Sequence, residues 1–422
     1  MATGGLNVFR ENAVYIAGGK ESVWGTGVPA TWGWYWLDGS DANPEAKLQS
    51  EREGDTSPFK ALTWKQGQYE VIKIVEYVHP ILAGYALQAL CGTSSDTYTA
   101  PTVNTTLSAA ILAGATQCQV AANLGATGTA VCIFEPGYTS TTWEIATLDL
   151  TTKSGTGPFT YTLANAATFQ KAHSSAGIVQ SASTHAFTRK GAYDPYSIEI
   201  GWNTDGGTLQ KAVRYIDCVC ADLKITSEKG KKLKFEHTWY ATGFSNLGTF
   251  TLPPYETNRP MTHYDANGKW QLNNAATLNA LTIDKFDVTF KNSTTPDDCQ
   301  SEGLNPVYFL PGNCDISGSY EVLFNDWGQY ELTYAGARTF TSGAGDSAIV
   351  GQEALLALWQ PDLLNSLQVS LPNVFYSAAK LTPRLDAKPL PQPVTFEAIN
   401  NRPAGVTNAF TVTLANSQAN SY

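Results

Sequence analysis

Apolar and polar residues alternate along residues 213–243, on both sides of a turn that contains Gly230. A period of two is typical of β-strands with one covered face, so this stretch predicts a long β-hairpin. Arms of about ten residues exceed the usual five or six. Their edges and apolar faces therefore need cover from the rest of the chain or from another subunit. The turn carries Lys229, Lys231 and Lys232, which must lie in water or against a partner.

The elements before this hairpin follow two different periods. Alternation predicts a strand over residues 62–77, and helical spacing after Pro80 predicts a short helix over 79–92 that ends at Gly92. Residues 20–58 hold four tryptophans among glycines and prolines. We interpret that stretch as an arm whose aromatic rings pack on a domain or a neighbour. The alternative is a sugar-binding platform of aromatic rings.

Residues 98–186 differ in composition from their surroundings, because they are rich in Ala, Thr and Gly and carry only five charged side chains. Five short strand-like stretches at roughly even spacing predict a small all-β barrel or sandwich. We interpret it as a domain inserted into a loop of a host domain, which resumes at Tyr196.

A second series of elements follows a connector over residues 244–280, in which DANGKW at 265–270 predicts a tight hairpin turn. A helix is predicted over 351–360, before Pro361, and strands are predicted over 281–293, 316–324, 329–337, 364–374, 393–400 and 409–416.

The two halves of the chain show weak internal sequence similarity. GlnTyrGluVal at 68–71 and SerTyrGluVal at 319–322 each precede a predicted short helix. An alternating strand (223–226, 367–371) and an aromatic strand (234–241, 394–398) follow in both halves. The order of elements suggests an internal duplication, although few residues are identical.

Composition narrows the class of protein. The net charge of −10 and the pI near 5.0 argue against a protein that grips nucleic acid through its surface. The N-terminus lacks a signal-peptide pattern, and no apolar run is long enough to span a membrane, so we expect a protein made in a cytoplasm. Seven cysteines, an odd number, fit buried reduced thiols better than disulfides.

Motifs for catalysis or cofactor binding are weak, and we expect neither an enzyme nor a cofactor. The glycines at 343 and 345 match a dinucleotide-binding fingerprint, but no βαβ pattern surrounds them. Cys218 and Cys220, with Cys299 or Cys314, imitate a zinc site without the usual spacing. We interpret these cysteines as buried strand residues and expect no metal site.

Several stretches together resemble the major tail tube protein of bacteriophages with long, non-contractile tails. The stretches are KESVWGTG at 20–27, PFKALTW at 58–64, the hairpin at 213–243, SLPNV at 370–374 and PVTFEA at 393–398. The resemblance implies a mainly β fold, in which β-sandwich domains with a short helix donate strands to a β-barrel shared between subunits. It assigns 1–97 plus 187–247 to tube domain 1, 98–186 to a surface insert, and 248–422 to a connector and tube domain 2.

The resemblance also implies a structural role in the virion tail. Rings stack around a tape-measure protein, the tube ends contact tail terminator and distal tail proteins, and double-stranded DNA passes through an acidic, lysine-poor lumen. The lumen hairpin residues would be Tyr215, Asp217, Lys224, Lys234 and Glu236. The stacking interface would join Lys229, Lys231 and Lys232 to Glu51, Glu53 and Asp55.

Two tube domains per chain would close a ring with three chains, in a pseudo-six-fold arrangement. A hexamer, in which the second half is an outer elaboration, remains the alternative. The rival functions are a carbohydrate-binding or adhesive β-protein, and a baseplate or tail-terminator component.

Overall fold

Antiparallel β-strands make up most of the structure. The computed structural model describes residues 15–51, 62–137, 140–203, 209–247, 251–266, 270–272, 283–294, 305–323, 328–335, 353–381, 390–399 and 409–422. The helices are α1 (Leu82–Cys91) and α2 (Gly328–Ala335). The strands up to the long hairpin are β1 (Tyr15–Lys20), β2 (Trp32–Trp34), β3 (Asp41–Glu51), β4 (Leu62–Tyr77), β5 (Asp96–Thr99), β6 (Asn104–Thr106), β7 (Gln117–Val120), β8 (Thr129–Phe134), β9 (Glu144–Ser154), β10 (Phe159–Leu163), β11 (Ile178–Gln180), β12 (Ser183–Phe187) and β13 (Tyr196–Asn203). The later strands are β14 (Leu209–Glu228), β15 (Lys234–Ala241), β16 (Gly243–Leu247), β17 (Trp270–Leu272), β18 (Ile283–Asn292), β19 (Cys314–Leu323), β20 (Glu353–Trp359), β21 (Ser366–Ala379), β22 (Pro391–Ala398) and β23 (Thr411–Asn416).

The long hairpin predicted from the alternation is confirmed. β14 and β15 pair from Val219↔Tyr240 to Thr226↔Lys234, and Gly230 in the turn has a φ of 79°, which glycine adopts without steric cost. The predicted strand over 62–77 and the helix that ends at Gly92 are also present. The mainly β fold class is therefore confirmed.

Two predictions in the second half are wrong, and they are wrong in opposite directions. The stretch predicted as a strand over 329–337 contains α2, and the stretch predicted as a helix over 351–360 contains β20. The β20 sequence is rich in Ala and Leu, which favour helices. Pairing on both sides, with β17 and β21, overrides that local preference. The turn predicted at 265–270 lies partly outside the described residues.

Eight strands form one continuous antiparallel layer, which we call the inner sheet. Its order is β3, β4, β15, β14, β18, β19, β22, β21. The centre of the layer is the pairing of β14 with β18, from Asp222↔Lys291 to Glu228↔Lys285. The first and second halves of the chain thus meet edge to edge within a single sheet.

Each half contains one long strand that leaves the inner sheet and enters an outer one. The first part of β14 pairs with β13 and β16, and the first part of β21 pairs with β20 and β23. Both strands have a register shift at the same place against their inner partner, between Cys220 and Asp222 in β14 and between Tyr376 and Ala378 in β21. A β-bulge of this kind bends a strand and increases its twist.

The two halves repeat the same topology. β1, β3, β4, α1, β13, β14, β15 and β16 correspond in order and pairing to β17, β18, β19, α2, β20, β21, β22 and β23. α1 packs on β14, and α2 packs on β21. Aligning the two bulges makes Thr238 equivalent to Thr395 and Lys73 equivalent to Ser319. We call these halves the first and second repeats.

The identities that suggested the duplication are not structurally equivalent. In the bulge alignment Tyr320 corresponds to Ile74 instead of Tyr69, and Leu223 corresponds to Ala379 instead of Leu367. The correspondence of Lys234–Ala241 with the strand ending at Ala398 is correct. The repeat is therefore visible in the pairing of strands and hardly visible in the residues.

One continuous apolar core fills the space between the inner and outer sheets and extends through both repeats. α1 is buried in it along nearly its whole length. The helix begins next to Glu256, whose carboxylate accepts hydrogen bonds from the backbone N–H groups of Ile81 and Leu82 at 3.0 and 2.7 Å. Such an acceptor satisfies N–H groups that have no partner within a helix.

A separate six-stranded sheet lies within the predicted insert, in the order β6, β11, β8, β9, β10, β7, over its own apolar core. It extends from Asn104 to Gln180 and is shorter than the predicted 98–186. The strands that flank it, β5 and β12, pair with each other from Thr99↔Thr184 to Asp96↔Phe187 and belong to the main sheet system. The prediction counted five strands where this sheet has six.

Candidate assembly surfaces

One face of the inner sheet covers the core, and the other is open. The open face is polar, because every second residue of its strands is turned away from the core. The Asp, Glu and Lys residues of this face that lie within its described strands are Asp41, Lys73, Asp222, Lys224, Glu228, Lys234, Glu236, Lys285, Asp287, Lys291, Asp315, Glu321 and Glu397. Carboxylates outnumber lysines on this face. The same strands also carry five lysines, which are Lys73, Lys224, Lys234, Lys285 and Lys291.

Opposite charges alternate across the open face. Lys291 lies between Asp222 and Asp315 on adjacent strands, and Lys285 lies between Glu228 and Glu321. Directly opposed residues on antiparallel strands are close enough for their side chains to interact. The face therefore carries a pattern of neighbouring opposite charges, without one large patch of a single sign.

Of the five residues predicted for the lumen hairpin, three lie on the open face. Lys224 pairs in register with Glu236, and the Glu236 carboxylate is 3.6 Å from the ammonium of Lys73. Lys234 is on the same face at the start of β15. These three predicted positions are brought together by the pairing of β14, β15 and β4.

Tyr215 and Asp217 do not lie on that face, because both are buried. Asp217 has a φ of 52°, and its carboxylate accepts hydrogen bonds from the Gly25 N–H at 2.5 Å and the Thr242 hydroxyl at 2.9 Å. The strand bends here, so the residues from Cys218 to Ala221 are all buried. A period of two already places Tyr215 and Asp217 opposite Lys224, on the face of the buried Leu223 and Ile225, so the predicted lumen set combined residues from both faces of β14.

The hairpin turn carries the three predicted stacking lysines, and the structure gives each a contact within the chain. The ammonium of Lys229 is 2.9 Å from Asp284, and that of Lys231 is 2.9 Å from Glu228. Lys232 lies over the ring of Tyr77, with its nitrogen 4.5 Å from the ring centre. Hydrogen bonding to Asp284 raises the pKa of Lys229.

The predicted acidic partners lie at the other end of the sheet. Glu51 ends β3 and pairs with Leu62, whereas the hairpin turn adjoins Tyr77 at the far end of β4. Glu53 and Asp55 lie outside the described residues. No pairing between these lysines and Glu51 is possible within one chain, because most of the length of β4 separates them.

β3 and β4 extend beyond the rest of the inner sheet as a two-stranded ribbon. β15 ends where Ala241 pairs with Glu70, but β3 and β4 continue from Glu45↔Tyr69 to Glu51↔Leu62. At about 3.3 Å per residue, the ribbon is about 25 Å long. A lone two-stranded ribbon is marginally stable in water, so this one is suited to packing on another surface.

The inner sheet has two edges on which no further strand of the described chain pairs. One is the outer side of β3, and the other is the end of β21 from Phe375 to Ala379, where β22 is the one partner. Unpaired edges of this length are templates for another strand and rarely remain free in soluble proteins.

The tryptophans near the N-terminus divide between core and surface. Trp32 and Trp34 are buried, in agreement with the prediction that these rings pack on a domain. Tyr35, Trp36 and Tyr77 line a pocket of about 650 Å³ near the hairpin turn. The candidate zinc residues Cys218 and Cys220 are buried, and burial raises the pKa of both thiols.

The described residues offer neither a metal site nor a membrane-spanning helix. They contain no group of three or more histidine, cysteine, aspartate or glutamate side chains placed to hold a metal ion. Neither of their helices has the length and apolar character required to cross a membrane.

Two open sheet edges, a polar face and a projecting ribbon are features of a β-protein whose sheet is suited to pairing with further strands. The family model described as "Phage tail tube protein" matches residues 11–398, and the chain therefore belongs to that family. No curated protein matches it. Membership implies an oligomeric tube in the tail of a virion, and proteins of this family are generally structural.

Proposed function

We propose that three copies of this chain close into a ring of the tail tube, and that rings stack into a conduit for DNA. The observation that carries the proposal is the inner sheet, in which two four-stranded units of the same topology are joined side by side. Three such sheets would give a closed barrel of alternating first and second repeats. Closure removes every free edge of the sheet.

The junction within the chain supplies a template for the junction between chains. Lys224 of β14 lies opposite Thr289 of β18, and the bulge alignment makes these residues equivalent to Lys380 and Asn43. In the proposed ring, the end of β21 therefore pairs with β3 of the next chain, with Lys380 opposite Asn43. Both free edges of the inner sheet are then used.

The ring would stack head to tail along the strands. The lysine-bearing turn and the ribbon of β3 and β4 lie at opposite ends of the inner sheet, so the ribbon of one ring meets the turn end of the next. This arrangement supports contact of Lys229, Lys231 and Lys232 with Glu51, Glu53 and Asp55 of another copy. A head-to-tail interface of this kind generates an open filament.

The open face of the inner sheet would line the lumen. Its excess of carboxylates disfavours lasting contact with DNA phosphates, and its interspersed lysines keep the field weak. A tape-measure protein inside the tube, with tail terminator and distal tail proteins at its ends, completes the proposed set of partners. We propose no enzymatic activity and no cofactor.

Cysteine cross-linking tests the ring directly. The Asn43→Cys, Lys380→Cys variant, oxidised after assembly, should give covalent species of two and three chains on a non-reducing gel, with the three-chain species as the upper limit. Thr289→Cys, Lys224→Cys is the matched control. It tests the equivalent positions within one chain and should give monomers at every stage.

Symmetry analysis of a ring by cryo-electron microscopy decides between the two stoichiometries. Three chains per ring supports the proposal. Six chains per ring, or cross-linked ladders that continue past three chains, would contradict it and favour the hexamer in which the second half is an outer elaboration.

A further inference from the structure

The core of the first repeat contains a buried carboxyl group and a buried imidazole side by side. Glu76 on β4 is 1% exposed, and His237 on β15 is also 1% exposed. Glu76 Oε1 is 3.3 Å from His237 Nε2, without the alignment of a hydrogen bond. Neither oxygen of Glu76 has a hydrogen-bond partner among the described residues. A buried group of this kind is costly to stability and calls for an explanation.

The protonation state of His237 is set by its other nitrogen. Trp239 Nε1 donates a hydrogen bond to His237 Nδ1 at 2.5 Å, so Nδ1 must keep its lone pair. The imidazole is therefore neutral and carries its hydrogen on Nε2, facing Glu76. Burial lowers the pKa of His237 to about 3, which agrees with this geometry.

The second repeat shows that the fold does not require this pair. The bulge alignment makes Glu76 equivalent to Val322 and His237 equivalent to Val394, and both valines are buried. Trp239, the hydrogen-bond donor, is equivalent to Phe396. Where the first repeat has a polar series of three residues, the second has three apolar ones. The nearest polar exception is Gln392, a neutral amide at the position equivalent to Phe235.

Other ionisable groups surround the pair on adjoining elements. Glu256 lies at the start of α1 and raises the pKa of Glu76 electrostatically, in addition to the larger effect of burial. His79, before α1, is hydrogen-bonded to the carbonyl of Asn258, and burial lowers its pKa to about 4. Lys232 lies in the hairpin turn. Of these groups, only Glu256 acts on Glu76, and it opposes ionisation.

We propose that Glu76 and His237 are a pH-sensitive switch in the core of the first repeat, which holds β4 against β15 while Glu76 is protonated and loosens them when it ionises. The second repeat, with valines at both positions, stays closed over the same pH range. An ionised Glu76 would face His237 Nε2–H alone, which is too little to offset the loss of water.

The direction in which stability changes with pH follows from the shifted pKa values of Glu76 and His237. The pKa of Glu76 is raised, so its contribution to stability is complete below its ordinary value of 4.5 and is lost as the pH rises through the folded-state pKa. The pKa of His237 is lowered, so its contribution is complete above 6.5 and is lost as the pH falls toward about 3. The first repeat is therefore weakened by alkali through Glu76 and by acid through His237.

The test compares the wild type with three variants of the unassembled chain. Thermal unfolding from pH 5 to 9 should show a midpoint that falls with pH in the wild type. Glu76→Gln, which keeps the shape, should remove most of that fall. Glu76→Val with His237→Val, which copies the second repeat, should remove it as well. Glu256→Gln is the comparison at a coupled group: the pKa of Glu256 is raised to about 7, so its loss should remove the part of the fall near that pH, and it should also lower the pKa of Glu76 without removing the contribution of Glu76.

Hydrogen exchange, corrected for the intrinsic effect of pH, locates the response. Peptides from β4 and β15 should lose protection at alkaline pH in the wild type, while peptides from β19 and β22 should not. A Glu76→Gln protein that retains the full wild-type pH dependence, or equal loss of protection in both repeats, would overturn the proposal. Neither outcome depends on how the rings assemble.

Discussion

Gly84 in α1 is a residue at which local preference and tertiary packing oppose each other. Alanine at an interior helix position is usually favoured over glycine by about 1 kcal/mol. A Cβ at position 84 would, however, lie 2.0 Å from Cζ of Tyr422. The Tyr422 hydroxyl donates to the carbonyl of Ile81 at 2.8 Å, so the ring is not free to move away. We expect Gly84→Ala to destabilise the protein by about 1–3 kcal/mol, as overpacked cores do.

Denaturant unfolding checks this expectation against a matched control. A Cβ at position 191 would meet no atom within 4 Å, so Gly191→Ala should leave the free energy of unfolding within about 0.5 kcal/mol of the wild type. A Gly84→Ala protein as stable as the Gly191→Ala protein would show that the Tyr422 ring yields to the methyl group.

The sequence already showed Glu76 as an exception to the apolar and polar alternation of β4. Ile72, Ile74 and Glu76 share one face of β4, so a carboxylate follows two apolar residues into the core. The period of two predicts which face of β4 is buried, and a glutamate on that face identifies an unusual position in the core. Tyr215 and Asp217 are buried on the face that the period of two assigns to them, opposite Lys224, so their inclusion with Lys224 in one lumen face did not follow from the alternation. The bulge in β14 depends on pairing with two other strands, and no local pattern encodes it.

At the scale of elements, the long strands were predictable and the short segments were not. The alternation in β4, β14, β15 and β18 is strong because one face of each strand covers the core. α2 and β20 were exchanged because their sequences carry mixed preferences: tyrosine and threonine occur in the helix, and alanine and leucine occur in the strand. Position in the repeat, after β19 and before β21, decides their structure.

The insert is an element whose removal the topology permits. β5 and β12 pair directly with each other, so the chain enters and leaves the six-stranded sheet at adjacent points. We expect deletion of residues 104–180, bridged by a short Gly/Ser linker, to leave tube formation intact, because the insert is proposed to lie outside the tube. Electron microscopy of the assembled protein is the measurement.

Deleting the longer segment 98–186 provides the contrast. It removes half of β5 and four of the five residues of β12, the strand that pairs with β23. That variant should unfold at lower temperature than the shorter deletion. Loss of tubes in the shorter deletion with an unchanged unfolding midpoint would show that the insert takes part in assembly.

For the whole molecule, the sequence led to the duplication through identities that do not align. The order of strands, helix and bulge repeats, while most residue pairs differ, as Ile72 and Gly318 or Glu76 and Val322 do. Many different side chains are compatible with the same strand pairing and curvature, because a strand position requires mainly a residue that fits its face. Element order was for this reason a better guide than matching residues.

The charge at the hairpin turn is expected to control how rings stack. Lys231 and Lys232 adjoin the end of the sheet opposite the ribbon, so reversing both charges places carboxylates against the acidic residues proposed there. We expect Lys231→Glu, Lys232→Glu to polymerise poorly, and wild-type tubes to form less readily as salt is raised, since exposed charges are screened beyond about 10 Å at 0.1 M.

Lys190→Glu, at another exposed lysine, is the control and should assemble normally. Sedimentation of tubes from soluble rings measures the yield. An unchanged yield in the double variant, with rings still forming, would assign stacking to apolar and backbone contacts of the ribbon and leave the lysines as a solvated turn.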